Sequence, residues 1–265
     1  MLLVFHHSPL TMSDQSTLDR FQHARALFRS VIAKPEPTDL YDRQSWNMAG
    51  VHTVLTESLL SVYKQAEKIT RHDEATFSFY AFITVSGVTH HHMQEEEHYL
   101  PCLEPEFKSP ITDEHHKFTG PLHELEKYLM DLTGLEPNEN NTRFLPAKNP
   151  TTPKPPYDGR RITAAIEQIA EPMLTHLEQE ITYFSGDNLR ACGLPLSKLQ
   201  TWAKYEETIL KDLDPFIALV FVVKHTPPNS NWPPLPPGFR KVVVPWILWW
   251  KHRASWRFIP AQQRL

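Results

Sequence analysis

Residues 90–101 read H-H-H-M-Q-E-E-E-H-Y-L-P, and the fold prediction depends on this stretch. Three histidines precede three glutamates, so a histidine stands four residues before a glutamate more than once. In a helix, residues four apart lie one above the other on the same face. An imidazole nitrogen and a carboxylate oxygen stacked in this way can bind one transition-metal ion, or one ion each of an adjacent pair.

A second pair with the same spacing, His176 and Glu180, lies in a predicted helix from about Gly159 to Ser185. The apolar residues of this segment recur with the helical period and share a face with both side chains. A buried carboxylate without a partner is costly. Glu180 therefore requires a cation, a proton or another partner, and a metal ion is such a cation.

Two more predicted helices each carry one histidine on the inward face. In residues 39–70, His52 lies on the apolar stripe. In residues 110–133, the apolar pattern places His115 inward and His116 outward. The sequence thus predicts four helices with histidines directed at a common core.

The helix predicted for residues 73–97 leaves one choice open. His91 and Glu95 share one face, and His92 and Glu96 share the neighbouring face. Periodicity does not separate the two pairs. Counting one pair, the four helices supply four imidazoles and two carboxylates, which suits two metal ions that share the carboxylates as bridges.

This mixed nitrogen and oxygen ligation without thiolate predicts iron, with manganese and zinc less favoured. Two divalent ions and two carboxylates leave residual positive charge in an apolar core. Such a centre would favour a small ligand, namely dioxygen, peroxide, nitric oxide or an anion. The sequence therefore predicts a metal-binding protein with a bridged pair of iron ions as its cofactor.

Composition limits the other functions. The chain has 265 residues and a formal net charge of −4, which gives no indication of nucleic-acid binding. Its two cysteines, Cys102 and Cys192, indicate a reducing compartment, and we expect a cytoplasmic protein. The apolar runs 216–223 and 242–250 are too short to cross a bilayer, so no transmembrane segment is expected.

The last part of the chain is rich in proline and tryptophan. Trp246, Trp249, Trp250 and Trp256 lie among lysines and arginines in residues 239–258. One interpretation is a tail that covers the helices. The other is a peripheral surface for a membrane or a partner, because Trp with Lys and Arg suits an interface.

Four separated motifs together resemble the hemerythrin-like (HHE cation-binding) domain. They are M-A-G-V-H around His52, H-H-M-Q-E-E-E-H-Y-L-P around His91 and Glu95, E-H around His115, and H-L-E-Q-E around His176 and Glu180. The family's second motif aligns its proline with Pro101, and this alignment selects His91 and Glu95. The Pro/Trp-rich extension is similar to that of uncharacterised fungal members.

The resemblance implies an all-α fold, an up-down-up-down four-helix bundle with a di-iron centre in its core. The resemblance covers residues 39–186, which we expect to form the bundle. We expect residues 1–38 to form an extra N-terminal helix and linker, and residues 187–265 to form a helical and extended C-terminal extension packing on the bundle. The ligands that it implies are six side chains: His52, His91, Glu95, His115, His176 and Glu180.

Two departures bear on function. The oxygen carriers of this family have a second histidine where this chain has Thr119, and a late aspartate that Asp187 matches poorly. The chain thus resembles six-ligand members, which include an iron-sensing domain and stress proteins. Binding dioxygen, peroxide or nitric oxide, or sensing iron, is the first hypothesis. The alternatives are a di-iron peroxidase or oxidase, with Tyr63 or Tyr183 as proton donor, and a structural or interaction module with a vestigial site.

Overall fold

A computed structural model of the chain describes residues 12–140 and 142–260. The described chain is mostly helical, as predicted. The helices are α1 (Met12–Ile32), α2 (Leu40–Gln65), α3 (Glu74–Gln94), α4 (Leu100–Leu103), α5 (Ile111–His115), α6 (Thr119–Thr133), α7 (Gly159–Tyr183), α8 (Gly186–Ala191), α9 (Leu196–Asp212), α10 (Ala218–Lys224) and α11 (Arg253–Trp256). Shorter 3₁₀ and π-helical segments are Ala66–Lys68, Glu95–Tyr99, Phe239–Leu248 and Trp249–His252. Strands β1 (Leu135–Pro137) and β2 (Phe144–Pro146) form a small antiparallel hairpin.

Aspartate caps fix where two site-bearing helices begin. The Asp39 carboxylate accepts hydrogen bonds from the backbone N–H groups of Tyr41 and Asp42 at the start of α2. Asp158 does the same for Arg160 and Arg161 at the start of α7. Such caps satisfy backbone donors that have no partner within the helix. They therefore help to set the register in which α2 and α7 present their histidines.

The long helices contact one another in a closed order. Helix α2 packs against α3 and α7, α3 packs against α6, and α6 packs against α7. Helix α1 lies outside this ring against α2 and α7 and buries Phe21 and Phe28. The buried Glu57 of α2 is ion-paired with Arg25 of α1 at 2.7 Å, which adds a charged link to this contact.

The chain departs from the predicted helix at the C-terminal end of the His91–Glu95 pair. A π-helical turn, Glu95–Tyr99, follows α3, and the chain stays helical through Pro101 to Leu103. Proline fits the first turn of a helical segment, where no partner for its missing N–H is needed. The helix predicted for residues 73–97 therefore continues to Leu103, and its predicted end was wrong.

The third predicted helix is divided. The sequence pattern predicts a continuous helix over residues 110–133 with a kink at Gly120-Pro121. Instead α5 ends at His115, and α6 begins at Thr119 after a turn that buries Phe118. Gly120 and Pro121 then fall in the first turn of α6, where proline is tolerated. The break leaves His115 and Glu114 at the end of a short helix.

The C-terminal extension lies against the helices. Five of its apolar side chains belong to the same buried cluster as the long helices: Val244, Leu248, Trp256, Phe258 and Ile259. Trp232, in the proline-rich segment, covers Gly50 of α2. Trp246 and Trp250, by contrast, are more than half exposed. Over the described residues, no helix has the length and apolar character needed to cross a membrane.

Candidate metal centre

The structure brings all six predicted ligands together between the helices. Together with His92, these side chains supply two groups of donor atoms, and within each group every pair of donor atoms lies within 4.8 Å. The first donor group is His52, His91, Glu95 and Glu180. The second donor group is His92, Glu95, His115 and His176. Glu95 belongs to both groups, which is the arrangement expected of a carboxylate that bridges two ions.

In the first donor group, His52 of α2 is the central residue. Its Nε2 lies 3.2 Å from Glu180 Oε2 of α7 and 3.2 Å from His91 Nε2 of α3. His91 Nε2 lies 3.3 Å from Glu95 Oε1, one helical turn later. His52 and Glu180 are fully buried, whereas one tenth of the His91 side chain is exposed.

The second donor group is formed by residues of three segments. His115 Nε2 of α5 lies 3.0 Å from His176 Nε2 of α7 and 3.5 Å from Glu95 Oε2. His176 Nε2 also lies 3.4 Å from Glu180 Oε2. The two oxygens of Glu95 thus lie beside different groups, and Glu180 Oε2 lies between His52 and His176.

These spacings suit donors that share a metal ion. Nitrogen and oxygen ligands bind first-row metals at about 2.0–2.2 Å. Two neighbouring donors are then about 3 Å apart for right-angle ligation and about 3.4 Å apart for tetrahedral ligation. The six distances between neighbouring donor atoms given above, 3.0–3.5 Å, cover this range.

Three of the rings are oriented from behind by acceptors. His115 Nδ1 lies 2.6 Å from Glu96 Oε1, His176 Nδ1 lies 2.9 Å from Glu114 Oε2, and His92 Nδ1 lies 2.9 Å from the Val88 carbonyl oxygen. A carbonyl or carboxylate only accepts, so each Nδ1 carries the proton and each Nε2 presents a lone pair. The Nε2 atoms of His115 and His176 therefore face each other as two acceptors, an arrangement that a cation between them would stabilise.

The carboxylates indicate the same need. Within the described chain, neither oxygen of Glu95 or Glu180 has a hydrogen-bond donor. Burial raises the pKa of both carboxyl groups well above the ordinary value. The charge of Glu96 raises the pKa of Glu95 further, and the charges of Glu95 and Glu114 raise the pKa of Glu180 further. Burial also lowers the pKa of His52, His91, His92 and His176 well below its ordinary value. Neutral histidines beside unpaired carboxylates form a site that binds a cation or takes up protons.

His92 is the residue that the prediction did not include in the ligand set. The helical period left His91–Glu95 and His92–Glu96 as alternatives, but in the structure both histidines belong to the donor groups. His92 is 3% exposed, and its Nε2 has no hydrogen-bond partner among the residues described. Glu96 instead lies behind His115. Adjacent histidines point about 100° apart on a helix, so each can serve a different donor group, and this was a signal available in the sequence.

A cavity of about 80 Å³ adjoins the first donor group. His91 and Glu95 form one end of it, and Asn47, Met48 and Val51 of α2 form one side. Trp202 and Glu206, from α9 of the C-terminal extension, complete the wall. Burial raises the pKa of Glu206 to about 7. The cavity has room for a ligand of a few heavy atoms between the donors and the extension.

Comparison with protein-family models, with curated proteins and with solved structures gives no match to this sequence.

Proposed function

We propose that this chain is a non-haem di-iron protein of the hemerythrin-like type, which binds dioxygen, peroxide or nitric oxide, or senses iron, inside an up-down-up-down bundle of four helices. The bundle would consist of α2, α3, α5 with α6, and α7. The observation that carries the proposal is the convergence of His115 Nε2 and His176 Nε2 at 3.0 Å with each Nδ1 bound to a carboxylate.

The donor set supports iron over other metals. Two groups of imidazole and carboxylate donors share Glu95, and the metal-binding groups of the described chain contain no thiolate. Such mixed nitrogen and oxygen ligation suits iron, while manganese favours more oxygen donors and structural zinc favours four closed positions. A bound iron pair would supply a Lewis-acidic, redox-active site for a small ligand.

The chain's own residues would control access to that site. Met48, Val51 and Trp202 give the cavity an apolar part of its wall. The side-chain amide of Asn47 is a polar group available to a ligand in the cavity. Because His91 and Glu95 line the cavity, whereas His115 and His176 do not, a ligand would reach the first donor group.

A di-iron peroxidase or oxidase is the second candidate, and the cavity favours it. Turnover requires a proton donor near the ligand, and Glu206, with its pKa raised to about 7, lines the same cavity. Tyr183 donates a hydrogen bond to Glu114, which in turn contacts His176. Tyr63 is bonded to Glu167 and lies eleven residues, about 16 Å of helix, from His52, so it is not placed to serve.

Metal analysis tests the proposal. We expect elemental analysis of protein expressed in iron-rich medium to give close to two irons per chain, with a new visible absorption band on adding azide. His115→Ala should lose iron, whereas His116→Ala, an exposed neighbour, should not. No iron, or a single zinc ion, would contradict the proposal. The peroxidase alternative predicts that the protein consumes peroxide in the presence of a reductant. It would be supported if Glu206→Gln consumed peroxide more slowly at unchanged iron content.

A further inference from the structure

Charge is divided unequally along the chain. Residues 215–265 contain seven lysines and arginines and no aspartate or glutamate, whereas residues 1–214 contain 20 basic and 31 acidic residues. The protein is acidic as a whole, but every charged side chain in its last 51 residues is a lysine or an arginine. Such asymmetry indicates a segment with an anionic partner.

The same segment exposes large apolar side chains. Val242, Trp246, Ile247 and Trp250 are 53–69% exposed, and we call these four residues the tryptophan face. They are four of the seven large hydrophobic residues exposed in the described chain. Trp246, Ile247 and Trp250 follow Val242 by four, five and eight residues, and these spacings place the four side chains on one side of a helical segment. Grouped exposure of this kind marks an interaction surface rather than scattered surface residues.

The tryptophan face belongs to a packed element. On its other side, Val244, Pro245 and Leu248 are buried against the helices. Arg240 anchors the start of the segment by donating hydrogen bonds to the Trp232 carbonyl oxygen and to Thr226 Oγ1, both at 2.8 Å. The four exposed side chains are therefore held outward by a fixed backbone.

Free cations border the tryptophan face. Lys251 and Arg257 are ion-paired with Asp214 and Asp73. Lys241 and Arg253 are exposed and have no carboxylate partner within residues 12–140 and 142–260. The Arg253 guanidinium lies 5.4 Å from the centre of the Trp250 ring, so cation and aromatic side chain present themselves together.

We propose that the tryptophan face docks this protein, lying flat, on the surface of an anionic lipid bilayer. Tryptophan prefers the boundary between headgroups and acyl chains, where its ring is buried and its N–H stays hydrated. Val242 and Ile247 would enter the acyl boundary, and Lys241 and Arg253 would contact anionic headgroups. The absence of any acidic residue from residues 215–265 removes the repulsion that such a surface would otherwise meet. The surface does not depend on which metal the centre binds.

Sedimentation of the full chain with vesicles tests the proposal. We expect binding to vesicles that contain phosphatidylserine, little binding to phosphatidylcholine alone, and weaker binding as the salt concentration rises. Trp246→Ser combined with Ile247→Ser should weaken binding about tenfold or more, because less apolar area enters the bilayer. Lys241→Glu combined with Arg253→Glu should abolish the preference for phosphatidylserine.

Leu210→Ser is the matched control. Leu210 is nearly as exposed as Trp246 but lies in α9, outside the tryptophan face, and its replacement should leave vesicle binding unchanged. Circular dichroism would establish that each variant is folded, as expected for substitutions of exposed side chains. Failure of the parent chain to bind anionic vesicles would overturn the proposal and would leave an acidic protein surface as the partner. Equal binding of neutral and anionic vesicles would also overturn it.

Discussion

His115 and His176 face each other with their Nε2 atoms 3.0 Å apart, and each ring is held from behind by a carboxylate. The two carboxylates, Glu96 and Glu114, come from different segments of the chain. Without a cation this geometry opposes two lone pairs across a buried gap. The arrangement therefore costs free energy in the metal-free protein, and metal binding would remove that cost.

Removing the charge behind His176 should weaken metal binding. In Glu114→Gln, the side chain keeps its shape but no longer presents a full negative charge to His176 Nδ1. Loss of such an outer partner lowers metal affinity by about 10–100-fold, and we expect a change of this size in competition with a chelator. Glu124→Gln, on the exposed side of α6, is the control and should bind metal normally. Equal affinities for the two variants would show that Glu114 does not orient the ring.

The two buried carboxylates, Glu95 and Glu180, should have opposite effects on stability with and without metal. Burial raises the pKa of Glu95 and Glu180, so in the metal-free folded protein they hold protons that the unfolded chain has lost above about pH 4.5. Their contribution to stability is present below that pH and is lost as pH rises toward the folded pKa. At pH 7.5, replacing both by glutamine should therefore stabilise the metal-free protein, by roughly 1–4 kcal/mol.

Metal should reverse this order. At a free metal concentration of 100 times the dissociation constant, the parent gains about 2.7 kcal/mol from binding, whereas the double glutamine variant gains none. Urea unfolding of both proteins, with metal and with chelator, measures the four free energies of unfolding. If the variant were less stable than the parent in chelator as well, the buried carboxylates would have another partner.

The sequence indicated inward histidines in three helical regions because His52, His115 and His176 each lie within an apolar stripe. His52, His115 and His176 are buried where periodicity placed them. What the sequence did not predict arises from local departures from regular helix. The π-helical turn begins at Glu95, and the break after His115 places Glu114 behind His176. A period of 3.6 residues carries no information about such positions.

The C-terminal contacts were even less predictable. Glu206 and Trp202 reach the cavity from α9, more than a hundred residues after His91. Trp232 packs on Gly50 across an even longer separation in the sequence. Contacts of this kind depend on tertiary packing and have no signal in local periodicity. The sequence could therefore indicate that the tail covers the helices or forms an exposed surface. It could not indicate which side chains of the tail are buried and which are exposed.

Gly50 should be intolerant of a side chain because of Trp232. A Cβ atom built on Gly50 would lie 2.2 Å from two atoms of the indole ring. Gly50→Ala should destabilise the protein by about 1–3 kcal/mol, the usual cost of overpacking. Gly87→Ala is the control, since that Cβ would meet no atom within 4 Å, and in mid-helix it should stabilise by roughly 0.5–1 kcal/mol.

A double-mutant cycle shows whether the clash is the cause. Trp232→Leu removes the ring, so Gly50→Ala should cost much less in that background than in the parent. The two substitutions would then be strongly non-additive in thermal or urea unfolding. Additive costs would mean that Gly50 is required for a reason other than the close approach of Trp232.

A buried hydrogen bond between Tyr80 and His225 should make the attachment of the extension sensitive to acid. Tyr80 Oη lies 2.8 Å from His225 Nε2, and His225 Nδ1 donates to the Phe221 carbonyl oxygen at 2.7 Å. Nε2 therefore accepts from the tyrosine hydroxyl. His225 is fully buried, and burial lowers its pKa to about 4.

The sign of the pH effect follows from this shift. Above pH 6.5 both the folded and the unfolded protein carry a neutral His225, and the group contributes no pH dependence. Between pH 6.5 and about 4 the unfolded chain binds a proton that the folded protein excludes. The free energy of unfolding therefore decreases as the pH is lowered, by roughly 3 kcal/mol over that window. In Tyr80→Phe with His225→Phe, an apolar pair replaces the bonded one, and this part of the acid sensitivity should vanish. Urea unfolding of the metal-free parent and variant at several pH values measures the difference between their free energies of unfolding. The other buried histidines titrate in both proteins, so their contribution drops out of this difference. Parallel pH profiles would show that His225 becomes protonated without loss of the fold.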